Sequence, residues 1–133
     1  MKVKSYKELE VWKKGIEIVN MVYAIANSFP DGEKYVLAAQ MQRSALSIPS
    51  NIAEGFVRQY TKEYKQFLYI ARGSCAELET QRIVAMRRSF APHADLEELG
   101  SHLEHESRML MRLIQRLNDR ALITHHTALT TDA

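Results

Sequence analysis

Apolar residues recur along this chain at intervals of three and four, in four long stretches separated by short joints, which predicts helices throughout. In the first stretch Leu9, Trp12, Ile16, Val19, Tyr23 and Ala26 form one line, and Val11, Ile18, Val22, Ile25 and Phe29 a second beside it. Lys13, Lys14, Glu17, Asn20, Ala24 and Asn27 occupy the remaining side. Two adjacent apolar lines need cover from more than one neighbour. Ser5 and Glu8 have the spacing of a capping box at the start, and Pro30-Asp31-Gly32 ends the stretch.

The second stretch, residues 33–57, carries Leu37, Met41, Ala45, Ile48, Ile52 and Phe56 on one face. Pro49 removes a backbone donor inside it, so a kink or break near Ser47 is expected. Gly55 weakens its end, Arg58-Gln59-Tyr60 reads as the turn, and Thr61 as the next cap. The third, residues 62–88, places Tyr64, Phe67, Leu68, Ala71, Cys75, Leu78, Ala85 and Met86 inward. Its small residues (Ala71, Gly73, Ser74, Cys75, Ala76) match those of the second stretch, so these two helices are expected to pair closely. The fourth, residues 95–120, has a row of Leu96, Leu99, Leu103, Leu110, Leu113 and Leu117 interrupted only by Glu106, with Asp95 and Glu98 again at capping-box spacing. The fold expected is all-α: an antiparallel up-down-up-down four-helix bundle over residues 1–121. The threonine-rich tail, 122–133, is expected to be disordered.

Composition narrows the class. A chain of 133 residues fits one domain, and its 46% hydrophobic and 26% charged residues are the balance of a globular protein. The single cysteine, Cys75, leaves no internal disulfide. The N-terminus lacks the apolar core of a signal peptide and no apolar run reaches membrane-spanning length, so a cytoplasmic protein without a membrane partner is expected. A formal charge of +2 permits an RNA partner without requiring one.

The search for chemistry finds no catalytic pattern. A di-metal carboxylate bundle needs Glu-x-x-His on two helices, and no Glu here has a His three residues later. His102 and His105 share a helical face, yet no cysteine or second His pair completes a metal site. Cys75 lies mid-helix among small residues and reads as a packed thiol. Neither a nucleophile elbow nor a phosphate loop is present. The expectation is no enzyme, no cofactor and no metal.

Two polar sets break the core pattern: Ser47, Ser50, Asn51 and Glu54, and then Ser74, Glu77 and Glu79. One reading has Ser47 or Ser50 bond the carbonyls freed by Pro49, while Asn51 and Glu77 tie helices together. The other makes them a subunit interface or ligand pocket, since unpaired carboxylates are costly to bury. The basic residues have one ordered feature: Arg108, Arg112, Arg116 and Arg120 recur every four residues, after an acid-rich first half of the same helix. The helix dipole accounts for that order of signs. Contact with an RNA backbone, helped by Lys13, Lys14 and the other lysines of the first helix, is the sharper reading.

Longer phrases carry a resemblance. Tyr6 to Trp12, Phe29-Pro30 with Glu33, Gln42 to Ala45, the run Ser47-Ile48-Pro49-Ser50-Asn51-Ile52-Ala53-Glu54-Gly55, Phe67 to Ser74, and Glu77 to Gln81 occur in order. Together they resemble the 23S rRNA intervening-sequence protein family, over about residues 5–90. The resemblance implies an antiparallel four-helix bundle assembled as a homopentamer, with no enzymatic activity. Many such proteins are encoded within insertions in bacterial large-subunit rRNA genes. A related branch is similar to the accessory protein of diversity-generating retroelements, which engages a reverse transcriptase and nucleic acid. It marks Ser47, Pro49, Asn51, Glu54, Gly55, Gly73, Ser74 and Glu77 as structural or interface residues. The expected function is therefore a homo-oligomeric, RNA-associated binding or scaffolding protein. The alternatives are a purely structural oligomer with a protein partner, and a small-molecule or metal-binding bundle built on Asn51, Glu54 and Glu77.

Overall fold

The computed structural model describes the backbone of residues 3–131 and the side chains of residues 3–120. A 3₁₀ turn, Tyr6–Glu8, precedes α1 (Glu10–Ala26), the short α2 (Asp31–Lys34), α3 (Leu37–Phe56), α4 (Thr61–Arg87) and α5 (His93–Thr131). The four long helices form a ring of neighbours: α1 lies against α3 and α5, and α4 against the same two. Short joints between successive helices make this the expected all-α four-helix bundle. The tail expected from residue 122 lies, in its side chains throughout and its backbone from residue 132, outside the described residues.

Local chemistry sets the boundaries. Ser5 Oγ accepts from the Lys7 amide at 3.2 Å, and Glu8 Oε2 accepts from the amides of Lys4 and Ser5 at 2.7 and 3.0 Å. That box caps the 3₁₀ turn rather than α1, because Leu9 between them is extended (ψ 131°). The second predicted helix is in fact two: α2 ends at Lys34 with Tyr35 as its C-cap, and Val36 departs from helical geometry (φ −114°, ψ −89°). Tyr60 rather than Thr61 is the cap residue of α4, and Asp95 lies inside the first turn of α5.

The core runs the length of the bundle, with Ile18, Met41, Ile48, Ile52, Leu68, Leu78, Leu96, Leu99, Leu110 and Ile114 essentially inaccessible. Of the two lines on α1, the second forms the core: Val11, Ile18, Val22, Ile25 and Phe29 are buried, with Gly15 among them. The first line flanks it, Trp12 and Val19 half-buried and Tyr23 exposed.

Pro49 does not break α3, which runs unbroken from Leu37 to Phe56. The ring is buried against Gly15 of α1, where a methyl group would lie 3.2 Å from Pro49 Cβ. A bulky α1 residue would push that ring away; glycine lets it pack. Gly55 serves the pairing of α3 with α4 in the same manner, since a methyl there would come within 2.7 Å of Phe67 Cβ.

Candidate functional site

The arginine stripe of α5 is the first feature to place. Spacing by four keeps Arg112, Arg116 and Arg120 on one side of the helix, and all three are exposed. They line a groove of about 1130 Å³ with Arg58 from the α3–α4 turn, Phe56, Tyr64 and the residues around the N-terminal 3₁₀ turn. Leu113, Leu117 and Met109 line it from α5 as well. Four guanidinium groups meet two carboxylates there, Glu8 and Glu10. Both acids are engaged: the Lys4 and Ser5 amides hold the Glu8 carboxyl below the usual carboxylate range, and Glu10 lies 3.5 Å from Lys13 Nζ.

Among the described residues no ion pair involves Arg112, Arg116 or Arg120. The rest of the expected basic set is occupied. Arg108 bonds Glu104 at 2.8 Å, Lys13 pairs with Glu10, and Lys14 lies 3.6 Å from Glu17. The groove thus unites three of the six expected basic residues and leaves three outside it. Arg58 and Tyr64 join the site although the sequence pattern assigned them only to a turn and to the core. Arg58 is held by Glu54 at 2.6 Å and stacks 4.9 Å from the Phe67 ring centroid. Burial raises the Tyr64 hydroxyl above its usual range, against the opposing field of Arg116 and Arg120. Only their approach in space could have revealed these two residues.

The polar sets meet along the α3–α4 seam. Ser44 Oγ donates to Glu77 Oε1 at 2.6 Å, and the Ser47 and Ser74 hydroxyls share a hydrogen bond at 2.8 Å. Asn51 bonds the Ser47 carbonyl and hydroxyl at 2.8 and 2.9 Å. Asn51 therefore steadies α3 and reaches α4 only through Ser47, and the Ser47 hydroxyl goes to Ser74 and Asn51 rather than to the carbonyl freed by Pro49. Glu54 belongs to Arg58 instead of this seam. Asn51, Glu54 and Glu77 thus have separate partners. Among the described residues no group of three His, Cys, Asp or Glu is placed to hold a metal ion.

A second groove, about 980 Å³, opens between α4 and α5. Arg82 bridges these helices, donating to Glu79 Oε2 at 2.7 Å and to the Leu96 carbonyl at 3.1 Å. Gly100 leaves room for that guanidinium. Cys75 lines this groove but is buried, and burial with the nearby Glu106 carboxyl pushes its thiol up to about 12, too high for a thiolate nucleophile. Among the described residues no helix is long and apolar enough to cross a membrane.

A solved structure shares the fold. It is a protein of unknown function from the S23 ribosomal protein family of Bacteroides thetaiotaomicron VPI-5482, 22% identical, with a TM-score of 0.73 over 78% of this chain and 97% of that one. No curated protein matches. Residues 7–112 match the family described as 23S rRNA-intervening sequence protein, a span covering most of the bundle, and the chain belongs to that family.

Proposed function

We propose that the protein is a non-catalytic homo-oligomer, a pentamer by its family resemblance, that binds the phosphate backbone of RNA in the cytoplasm along the groove of Arg58, Arg112, Arg116 and Arg120. The observation that carries the reading is a groove lined by three arginines that have no ion pair among the described residues. Guanidinium groups match phosphate geometry, and backbone contacts need no sequence-specific chemistry. The helix dipole acts within the last turn, whereas α5 runs on to Thr131 beyond these arginines, and it gives no reason for a groove with Arg58 beside them. Family membership makes an RNA partner the natural first choice.

Filter binding of ribosomal RNA fragments across a series of salt concentrations tests this. Affinity should fall steeply with salt, and R112Q/R116Q should flatten the slope by about 1.4 to 1.8, at 0.7–0.9 per lost phosphate contact in each binding subunit. Glutamine is a good helix former, so the fold should survive. Absence of binding by the intact protein at low salt would overturn the RNA reading and favour the protein-scaffold alternative.

A further inference from the structure

Among the described residues Glu106 is the only fully buried charged side chain, at 0% exposure, and neither of its oxygens has a hydrogen-bond partner. It points into the bundle from the leucine row of α5, between Leu103 and Leu110. The missing side chain of Gly15 makes space for it: a methyl group there would lie 3.3 Å from Glu106 Oε2 and from Pro49 Cδ. One turn earlier on α5, His102 has a buried Nδ1 without a hydrogen-bond partner, 3.6 Å from Glu17 Oε1. Its Nε2 lies 3.9 Å from Glu98 Oε1. The other Glu17 oxygen lies 3.6 Å from Lys14 Nζ. Lys14 and Glu17 of α1 thus interleave with Glu98, His102 and Glu106 of α5 along one seam.

We infer that Glu106 is a proton-binding site built into this seam: its carboxyl is neutral in the closed bundle, and loss of the proton loosens α1 from α5 as Lys14 turns from Glu17 toward Glu106. A buried carboxylate without protein donors among apolar side chains is far costlier than the neutral acid. Burial pushes the Glu106 carboxyl up to about 8, with Lys14 pulling the other way. The neighbouring helices offer little else. Lys14 faces it from α1, Cys75 from α4 with a thiol that stays neutral, and α3 contributes the uncharged Pro49. His102 lies above it on α5, between Glu17 and Glu98. Because the folded state binds this proton more tightly than the unfolded chain does, its stabilisation is fully present below the ordinary value of 4.5 and is lost as pH rises through about 8.

The test is denaturation of the full chain and of E106Q across pH, with infrared spectra of both near neutrality. The folded-to-unfolded ratio of the parent should fall by up to several hundredfold between about pH 5 and about pH 9. E106Q should lose most of that dependence and outlast the parent in alkali. The parent should show the carbonyl band of a neutral carboxylic acid near neutral pH, absent from E106Q. K14M supplies a second variant, and should move the midpoint of the parent's infrared titration to higher pH. Coincident pH profiles for parent and E106Q, or no neutral-acid band in the parent, would overturn the inference.

Discussion

Two residues at the ends of α3 and α4 show how backbone geometry and side-chain size decide in opposite directions. Gly55 sits in the last turn of α3, where alanine is ordinarily the better helix former. Here the added methyl would meet Phe67 Cβ at 2.7 Å and the Tyr64 carbonyl at 3.1 Å, and neither atom can swing away. G55A is expected to cost about 1–3 kcal/mol by overpacking. Ser89, by contrast, has a left-handed backbone (φ 56°) where α4 ends, and Phe90 N–H reaches back to the Ala85 carbonyl at 3.0 Å. A glycine is free of the clash that an L side chain meets there, so S89G should gain about 1 kcal/mol. Thermal melts of the two variants should move apart in opposite directions. Glu106 was legible as a lone interruption of a leucine row, but its surroundings were not. Gly15, Pro49 and Lys14 come from other helices, and periodicity along α5 carries no information about them.

At the scale of whole helices, the four long elements followed from the period of the apolar residues, while their joints and ends followed from subtler causes. The break at Tyr35–Val36 and the extended Leu9 belong to residues of ordinary helix-compatible type, so nothing in their chemistry announced them. The packing of the Pro49 ring on α1 depends on the space over Gly15, a contact between helices. The pairing of α3 with α4 was readable from matching small residues, and its polar seam explains where they lead. Ser44 is buried and gives its hydroxyl to Glu77, whereas Glu54 meets Arg58 at the surface. Removing the Glu77 acceptor strands a buried hydroxyl, so E77A is expected to cost about 1–2 kcal/mol. E54A should cost under about 0.5 kcal/mol, as an exposed i,i+4 pair does. Chemical denaturation with S44A/E77A as the double variant isolates the coupling, which should be absent for Glu54 with Ser44.

For the molecule as a whole, polarity is unevenly distributed: arginines line the groove at one end, while apolar residues accumulate on the outside of α4. Tyr69, Ile70, Ile83 and Val84 are all exposed there, about 40–50% each, and Gly73 and Ala76 stand among them with open space over Gly73. Leu46 on α3 and Val57 just past its end are exposed as well. Uncovered apolar side chains thus lie on α3 and α4 and in the joints beside them, at Tyr35, Val36 and Tyr60, whereas the doubled apolar line of α1, which first pointed to assembly, is mostly spent within the bundle. A single chain gains nothing from isoleucine, valine and tyrosine on the outer face of its 27-residue helix, and exposed apolar side chains gathered on one face, here with Glu77 and Thr80 among them, are where association is expected. Small residues in the middle of such a face let a second backbone approach closely. The proposed assembly, placed on the outer face of α4, would have three coupled outcomes. Light scattering on the parent should give more than two subunits at micromolar concentration. G73W should release folded chains with unchanged helix content, because space over Gly73 within one chain admits the ring and only a neighbouring subunit would clash. G73A should stabilise the released bundle by about 1 kcal/mol, glycine being the poorer helix former. If G73W assembles like the parent, the interface lies elsewhere. The proposed RNA reading adds a final link: assembled subunits that each present the same arginines would meet one strand at several points, so on that reading the dissociated variant should bind RNA far more weakly than the assembly although its groove is intact.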